Sequence, residues 1–172
     1  NGGKASALNF GLLKSRYDFV VCIDADTQLD PNALREIAKP FLDPTVGAVA
    51  GNVRVGNQVN WLTKWQSIEY TTAQNFDRMA FAYLNCITVV PGAIGAFRRV
   101  AVMGEKIENI PENDFGPLCS FRSKKTIIGN YETDTLAEDC DLTIKILKKG
   151  YRVAQNNDSI AITESPETIK QF

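Results

Sequence analysis

Histidine is absent from this chain of 172 residues. That removes Ser-His-Asp and Cys-His nucleophilic sites, and every histidine-ligated metal, from consideration. Acid–base chemistry and metal binding must therefore fall to carboxylates. No stretch approaches the ~20 consecutive apolar residues that cross a bilayer, and no signal peptide is visible. Basic runs are missing too, and the net charge is −1. There is no bulk electrostatic pull toward nucleic acid or an anionic membrane, so no nucleic-acid partner is expected. Cysteine is scarce: Cys22, Cys86, Cys119 and Cys140 match no zinc or CxxC redox spacing. Cys22 and Cys86 stand in apolar runs and read as buried free thiols, in keeping with a reducing compartment.

Hydrophobic residues make up 44% of the chain and charged residues 23%, enough for one domain with a real core. A single domain over residues 1–172 is expected. The chain starts at Asn1 without a Met, inside a loop-to-helix transition, and reads as a partial domain.

The periodicities alternate. Asn1-Gly2-Gly3-Lys4 leads into a helix with Ala5, Leu8, Leu12 and Leu13 as its apolar face. Phe19–Ile23 is a continuous apolar run ending at Asp24, the pattern of a strand buried on both faces. Asp30 and Pro31 open a second helix carrying Leu34, Ile37, Ala38 and Phe41. Val46 to Val55 reads as a strand. Trp61 to about Ala82 reads as a long amphipathic helix whose stripe of Trp61, Trp65, Ile68, Phe76 and Met79 belongs in the core. Ile87 to Val90 is a short strand, followed by Pro91-Gly92 and then Ala93 to Phe97. Residues 105–134 have weak periodicity and read as a long loop, functional or disordered. Thr135 and Glu138 fit a capping box. The helix after them shows Leu136, Cys140, Ile144 and Leu147 on one face and ends at Lys148, Lys149 and Gly150. A short strand starts at Tyr151, and Pro166 opens a last helix. Strands alternating with helices predict an α/β domain with a largely parallel sheet, its site at the strands' carboxyl ends.

Four constellations could carry chemistry. Asp24 and Asp26, one residue apart at a strand tip, cannot pair with each other and call for a cation. Oxygen donors favour Mg²⁺ or Mn²⁺, completed by water and phosphate oxygens. The alternative is a pair of solvated loop carboxylates. Glu138 and Asp139 stand at a helix start, where negative charge is favoured. Capping suffices to explain Glu138 but leaves Asp139 over, and a carboxylate fixed there could accept a proton from a hydroxyl. Lys4, after two glycines and beside free backbone N–H groups, could seat a diphosphate, or be a solvated turn residue. The small residues of Val90 to Arg98, Gly92 among them, either let backbone approach a substrate or form a tight turn.

In order along the chain, these pieces resemble family 2 glycosyltransferases of the processive polysaccharide-synthase type, the cellulose, chitin, hyaluronan and poly-N-acetylglucosamine synthases. Gly3 to Asn9 resembles the diphosphate-side segment, and Asp24-Ala25-Asp26-Thr27 the DxD motif. Gly51 to Val55 resembles the strand that follows, and Pro91 to Arg98 the acceptor-side segment. Ala137-Glu138-Asp139 stands where the family has Thr-Glu-Asp. Thr163 to Thr168 resembles the segment before the family's Gln-x-x-Arg-Trp, which does not occur here.

The resemblance implies a GT-A-like, Rossmann-related fold whose first nucleotide-binding strands lie upstream. It implies Asp139 as catalytic base, and Asp24 and Asp26 as metal ligands for Mg²⁺ or Mn²⁺. Lys4, Asp24 and Asp26 would bind the donor; Glu138 and Gly92 would face the acceptor. The implied reaction transfers N-acetylglucosamine or glucose from a UDP-sugar to a growing β-linked glycan, with inversion. The parent would be embedded in the plasma membrane through segments outside this chain, its catalytic part on the cytoplasmic face. The piece alone would be soluble and inactive.

Two other readings stand beside this one. A haloacid-dehalogenase-type phosphatase also ends a strand in DxD, but places Thr or Val two positions after the second Asp, where this chain has Gln28. A non-catalytic nucleotide- or glycan-binding module would keep the acids without the turnover.

Overall fold

The structure is a computed structural model that describes residues 3–103 and 138–168. The loop expected at 105–134, Cys119, and the capping residue Thr135 lie outside the described residues. Helix α1 (Gly3–Lys14) leads to strand β1 (Phe19–Ile23), the two-residue β2 (Gln28–Leu29) and helix α2 (Ala33–Ala38). Strand β3 (Val46–Val55) precedes a continuous helical stretch made of α3 (Trp61–Glu69), a π-helical segment (Tyr70–Phe76) and α4 (Asp77–Tyr83). Then come β4 (Ile94–Arg98), α5 (Arg99–Met103), α6 (Glu138–Lys148) and β5 (Arg152–Thr163).

The strands form one sheet in the order β1-β4-β3-β5-β2. The α/β architecture is as expected, but the sheet is mixed: β3 and β5 run parallel, and the other three pairings are antiparallel. Apolar runs predicted parallel strands because such runs mark burial on both faces. Here β3 is buried on both faces at every residue but Arg54, whichever way its neighbours point. β1 departs from its expectation. It is an edge strand of the described sheet, with Phe19 41% and Ile23 47% exposed.

Two apolar clusters hold the sheet. One joins Leu12 of α1 to Ala48, Phe97, Val102, Leu142 and Ile146. The other joins Ala33, Ile37 and Phe41 to Val49, Val53, Ile94 and Ala161. Spacings of four explain the second: Ala33, Ile37 and Phe41 form the inner face, while Leu34 and Ala38 point outward. Leu13 likewise faces out. On α6 the buried face is Leu142, Thr143, Ile146 and Leu147, one step round from the predicted stripe. Gly150, at φ 94°, ends that helix as expected, its N–H bonding Leu147 O at 2.9 Å.

The helix from 61 to 83 forms as predicted but faces the other way. Trp61, Trp65, Ile68, Phe76 and Met79 are between 51% and 74% exposed, while Thr63, Gln66 and Arg78 are buried. Its inner side meets polar partners. The Asn60 side chain accepts from Thr63 N at 2.9 Å, and the Thr63 hydroxyl accepts from Asn60 N at 3.1 Å, a reciprocal cap. The Ser165 hydroxyl donates to Gln66 Oε1. Burial pushes the Arg78 guanidinium down to about 10. Periodicity had located an apolar stripe correctly, but a stripe does not say which side of a helix finds its partners.

Ile87 and Val90 are buried without joining the sheet, so the short strand expected there is absent. No helix begins at Pro166 within the described residues, which end at Thr168. That segment is instead tied to the start of α3. Asn57 Nδ2 donates to Ser165 O at 2.7 Å, and Asn60 Nδ2 donates to Glu167 O at 2.9 Å.

Candidate active site

The register places the candidate residues at one end of the sheet. Ile23 of β1 pairs with Ile94 of β4, so Asp24, just after β1, and Gly92, just before β4, leave the sheet side by side. The chain then turns, with Thr27 N donating to Asp24 O at 3.1 Å, and this turn presents Asp26 to solvent. From α1, the Lys4 ammonium reaches Asp24 Oδ1 at 2.7 Å. The pair is partly exposed, so its net stabilisation is modest and its value is positional.

Gly92 is the point on which the site closes. A side-chain carbon built there would collide with Lys4 Nζ and come within 2.8 Å of Asp139 Oδ2 and 3.5 Å of Asp24 Oδ2. Lys4, Asp24 and Asp139, drawn from α1, the tip of β1 and the first turn of α6, therefore converge on one backbone position. Only a residue without Cβ lets them do so. Asp26 lies on the same turn as Asp24 and is exposed. Glu138 heads α6, but its side chain lies outside the described residues.

Sequence reasoning missed the group that ties α6 to the Gly92 segment. The Thr143 hydroxyl, fully buried, donates to Asp139 O at 2.6 Å and accepts from Val90 N at 3.0 Å. One side chain thus spans the base candidate and the backbone two residues before Gly92. The signal was a Thr four residues after an Asp on a helix, the spacing at which a hydroxyl bonds back to a carbonyl. Tyr70, the first residue of the π-helical segment, was missed as well. Burial first, and then the charges of Glu69, Asp24 and Asp26, raise its phenol above the usual tyrosine range. Arg98, the last residue of the motif that begins at Pro91, turns out to be structural. It donates to the carbonyls of Val46, Phe41 and Asp43 at 2.9, 3.0 and 3.0 Å, at the opposite end of the sheet. Asp141 pairs with Lys145 at 2.7 Å along α6.

A groove of about 600 Å³ also opens at that opposite end, where β3 and β5 begin. Asp43, Arg152, Gln155, Asn157 and Met79 line it, and none of the candidate residues does. Cys22, Cys86 and Cys140 form no disulfide with one another; Cys22 is buried as expected, and Cys86 only partly. Among the described residues no group of three acids or thiols could hold a metal by itself. The protein here offers the carboxylates of Asp24 and Asp26, a donor set suited to Mg²⁺ or Mn²⁺ that keeps water and phosphate oxygens for its other positions. No helix among the described residues is long and apolar enough to cross a membrane.

Comparison with known proteins bears on the family and the fold. The chain is 29% identical over 170 residues to poly-β-1,6-N-acetyl-D-glucosamine synthase of Staphylococcus aureus, and 28% identical to that of Staphylococcus epidermidis. These matches cover 98% of the chain but 36% of either synthase. Among solved structures, the mannosyltransferase PcManGT of Pyrobaculum calidifontis, in complex with GDP-Man and Mn²⁺, superposes with a TM-score of 0.63 at 23% identity. That match covers 97% of this chain and 38% of the other. Glucosyl-3-phosphoglycerate synthase of Mycobacterium tuberculosis, with Mn²⁺, UDP-glucose and phosphoglyceric acid, gives 0.50 at 16% identity, over 98% of this chain and 49% of the other. These likenesses show a fold of the GT-A glycosyltransferase type. The family model described as glycosyl transferase family group 2 matches residues 19–172, and the chain belongs to that family.

Proposed function

We propose that this domain belongs to an inverting, metal-dependent transferase that moves N-acetylglucosamine or glucose from a UDP-sugar to a growing β-linked glycan. The observation that carries the reading is the convergence of Lys4, Asp24 and Asp139 on Gly92. In this arrangement a cationic and an acidic group face the donor, and a second acid faces the acceptor. Poly-N-acetylglucosamine synthases of similar sequence support the sugar and the polymer, and the neighbours' nucleotide sugars and Mn²⁺ support the donor and the metal. Family membership displaces the phosphatase alternative.

Asp139 takes the proton of an acceptor hydroxyl. That oxygen bonds to the anomeric carbon as the bond from carbon to diphosphate oxygen breaks on the opposite face, so the configuration inverts. One base suffices, in contrast to the two carboxyl groups of glycoside hydrolysis. Lys4 and the N-terminal turn of α1 hold the diphosphate. Asp24 and Asp26 would hold Mg²⁺ or Mn²⁺, which when bound neutralises charge on the departing diphosphate. Gly92 and Glu138 bound the acceptor side. The chain spans about a third of its curated relatives. The synthase activity, a membrane-embedded parent and a cytoplasmic catalytic face accordingly belong to the longer protein.

The test is Asp139→Asn in the full-length enzyme. Transfer should fall by about 10²–10⁴-fold, the range for removing a general base, while UDP binding with Mn²⁺ persists. Turnover at the unmutated rate would remove Asp139 from the mechanism.

A further inference from the structure

The π-helical segment Tyr70–Phe76 sits in the middle of an otherwise regular helix. Such insertions are rare and recur at functional sites, because an added residue in the turn re-aims the side chains around it. Here the local hydrogen bonding is visibly re-drawn. Tyr70 N donates to both Gln66 O and Ser67 O. The Thr71 hydroxyl donates to Ser67 O at 2.8 Å, and the Thr72 hydroxyl to Ile68 O at 3.0 Å. At the end of the segment Asp77 N donates to Thr72 O, five residues back, the bond that marks a π turn.

The segment lies across β3. Tyr70 is half-buried and packs on the cluster formed by Val49, Val53 and Ile94. Val21, Leu29 and Ala93 rest on that same cluster. Each is a near neighbour in sequence of one candidate group: Val21 precedes Asp24, Leu29 follows Asp26, and Ala93 follows Gly92. Tyr70 therefore shares its platform with the segments that carry Asp24, Asp26 and Gly92, while α1 and α6, which bring Lys4 and Asp139, pack on the other cluster. No other aromatic side chain of the helix does; Trp61, Trp65 and Phe76 are exposed.

We propose that Tyr70 is a further substrate-binding residue of this pocket, its phenol hydroxyl donating a hydrogen bond to a diphosphate oxygen of the nucleotide-sugar donor. The inference rests on the reading of the site given above. Asp24 and Asp26 lie near enough for their charges to act on the phenol. Two carboxylates and a diphosphate crowd acceptor oxygens together, and a neutral O–H supplies a donor there without adding charge. The phenol keeps its proton, since burial and the nearby acids both oppose its ionisation. The ring, wedged against the sheet, loses little further freedom when the donor binds.

The experiment is calorimetry on the full-length enzyme and its Tyr70→Phe variant, with UDP and with uridine, each with and without Mn²⁺, beside steady-state kinetics. Phe keeps the ring and its packing, so the thermal midpoint should stay at the parent value. UDP with Mn²⁺ should bind about tenfold more weakly, the scale of one hydrogen bond to a charged group. The donor KM should rise with it, the acceptor KM should not move, and uridine should bind both proteins alike. Unchanged UDP affinity in the variant overturns the proposal. So does an equal loss for uridine, which would mark a general disturbance of the pocket. The parent protein separates the two levels of the argument. If it binds UDP no better with Mn²⁺ than without, the nucleotide-sugar reading itself falls, and the Tyr70 contact with it. If it shows metal-dependent binding that Phe leaves intact, only the Tyr70 contact falls.

Discussion

At the site end of the sheet, polar groups from three elements turn inward toward one glycine; along the helix from 61 to 83, the large apolar groups turn outward and polar ones face the body. Lys4, Asp24 and Asp139 meet around Gly92 because each is delivered by an element whose core side is firmly packed. The helix is delivered by polar contacts instead: the Asn60–Thr63 cap, the Ser165–Gln66 bond and the Asn57 and Asn60 bonds to the segment 165–167. Amphipathicity thus reports that a helix has two unlike faces. Which face is covered depends on what the rest of the fold presents, and here the segment 165–167 presents hydrogen-bonding groups.

The sharpest way to break this contrast is Gly92→Ala. The new methyl group would meet the far ends of two flexible side chains, Lys4 and Asp139, with no backbone in its way. The fold should survive because those ends can swing aside. The site should not, because a displacement of about 1 Å at reacting groups can cost 10²-fold in rate. Turnover should fall by about that factor with an unmoved thermal midpoint. A variant as active as its parent would mean the convergence on Gly92 has no catalytic meaning.

Thr143→Val is next. Val keeps the shape but strips the hydroxyl that donates to Asp139 O and accepts from Val90 N, leaving the buried Val90 N–H without that partner. Unfolding in denaturant should show a loss of about 1–3 kcal/mol, the cost of unsatisfied buried groups. Turnover should fall too, since the Asp139 turn is no longer tied to the Gly92 segment. Thr143→Ser should recover both. Recovery of stability without recovery of rate would show that the tie is structural only.

The site was the more legible region because chemistry constrains it by residue type. A strand-tip Asp24-x-Asp26, an Asp139 left over after capping, and a Lys4 behind glycines each raised a question that burial alone could not answer. What could not be read was Thr143 and Tyr70, which look like ordinary helix residues until the fold brings Val90 or Asp24 near them. Among the elements, β3 was legible end to end because burial on both faces leaves a run of small and apolar residues broken only by Asn52 and Arg54. The antiparallel pairing of β4 was not, since a run buried on both faces looks alike in either direction. Ile87–Val90 shows the same limit: apolar and extended in pattern, it is buried by α6 contacts such as Val90 N to Thr143 rather than by a neighbouring strand.

Two smaller perturbations sharpen the picture of the helix. Asn60→Ala removes the side-chain half of the cap and the bond to Glu167 O. Loss of such a cap costs ~1 kcal/mol, and chemical denaturation should find about that. Trp65→Gln should do least. An indole in a core would cost about 3–5 kcal/mol to truncate, whereas a change on an exposed face stays within about 0.5 kcal/mol. Trp65 is 65% exposed and Gln is a sound helix former, so the second figure applies. A drop of several kcal/mol in the isolated domain would place Trp65 inside after all and erase the contrast between the two regions. A stability equal to the parent's would establish that the polar side of this helix, led by Thr63 and Gln66, is the side that faces the body of the domain.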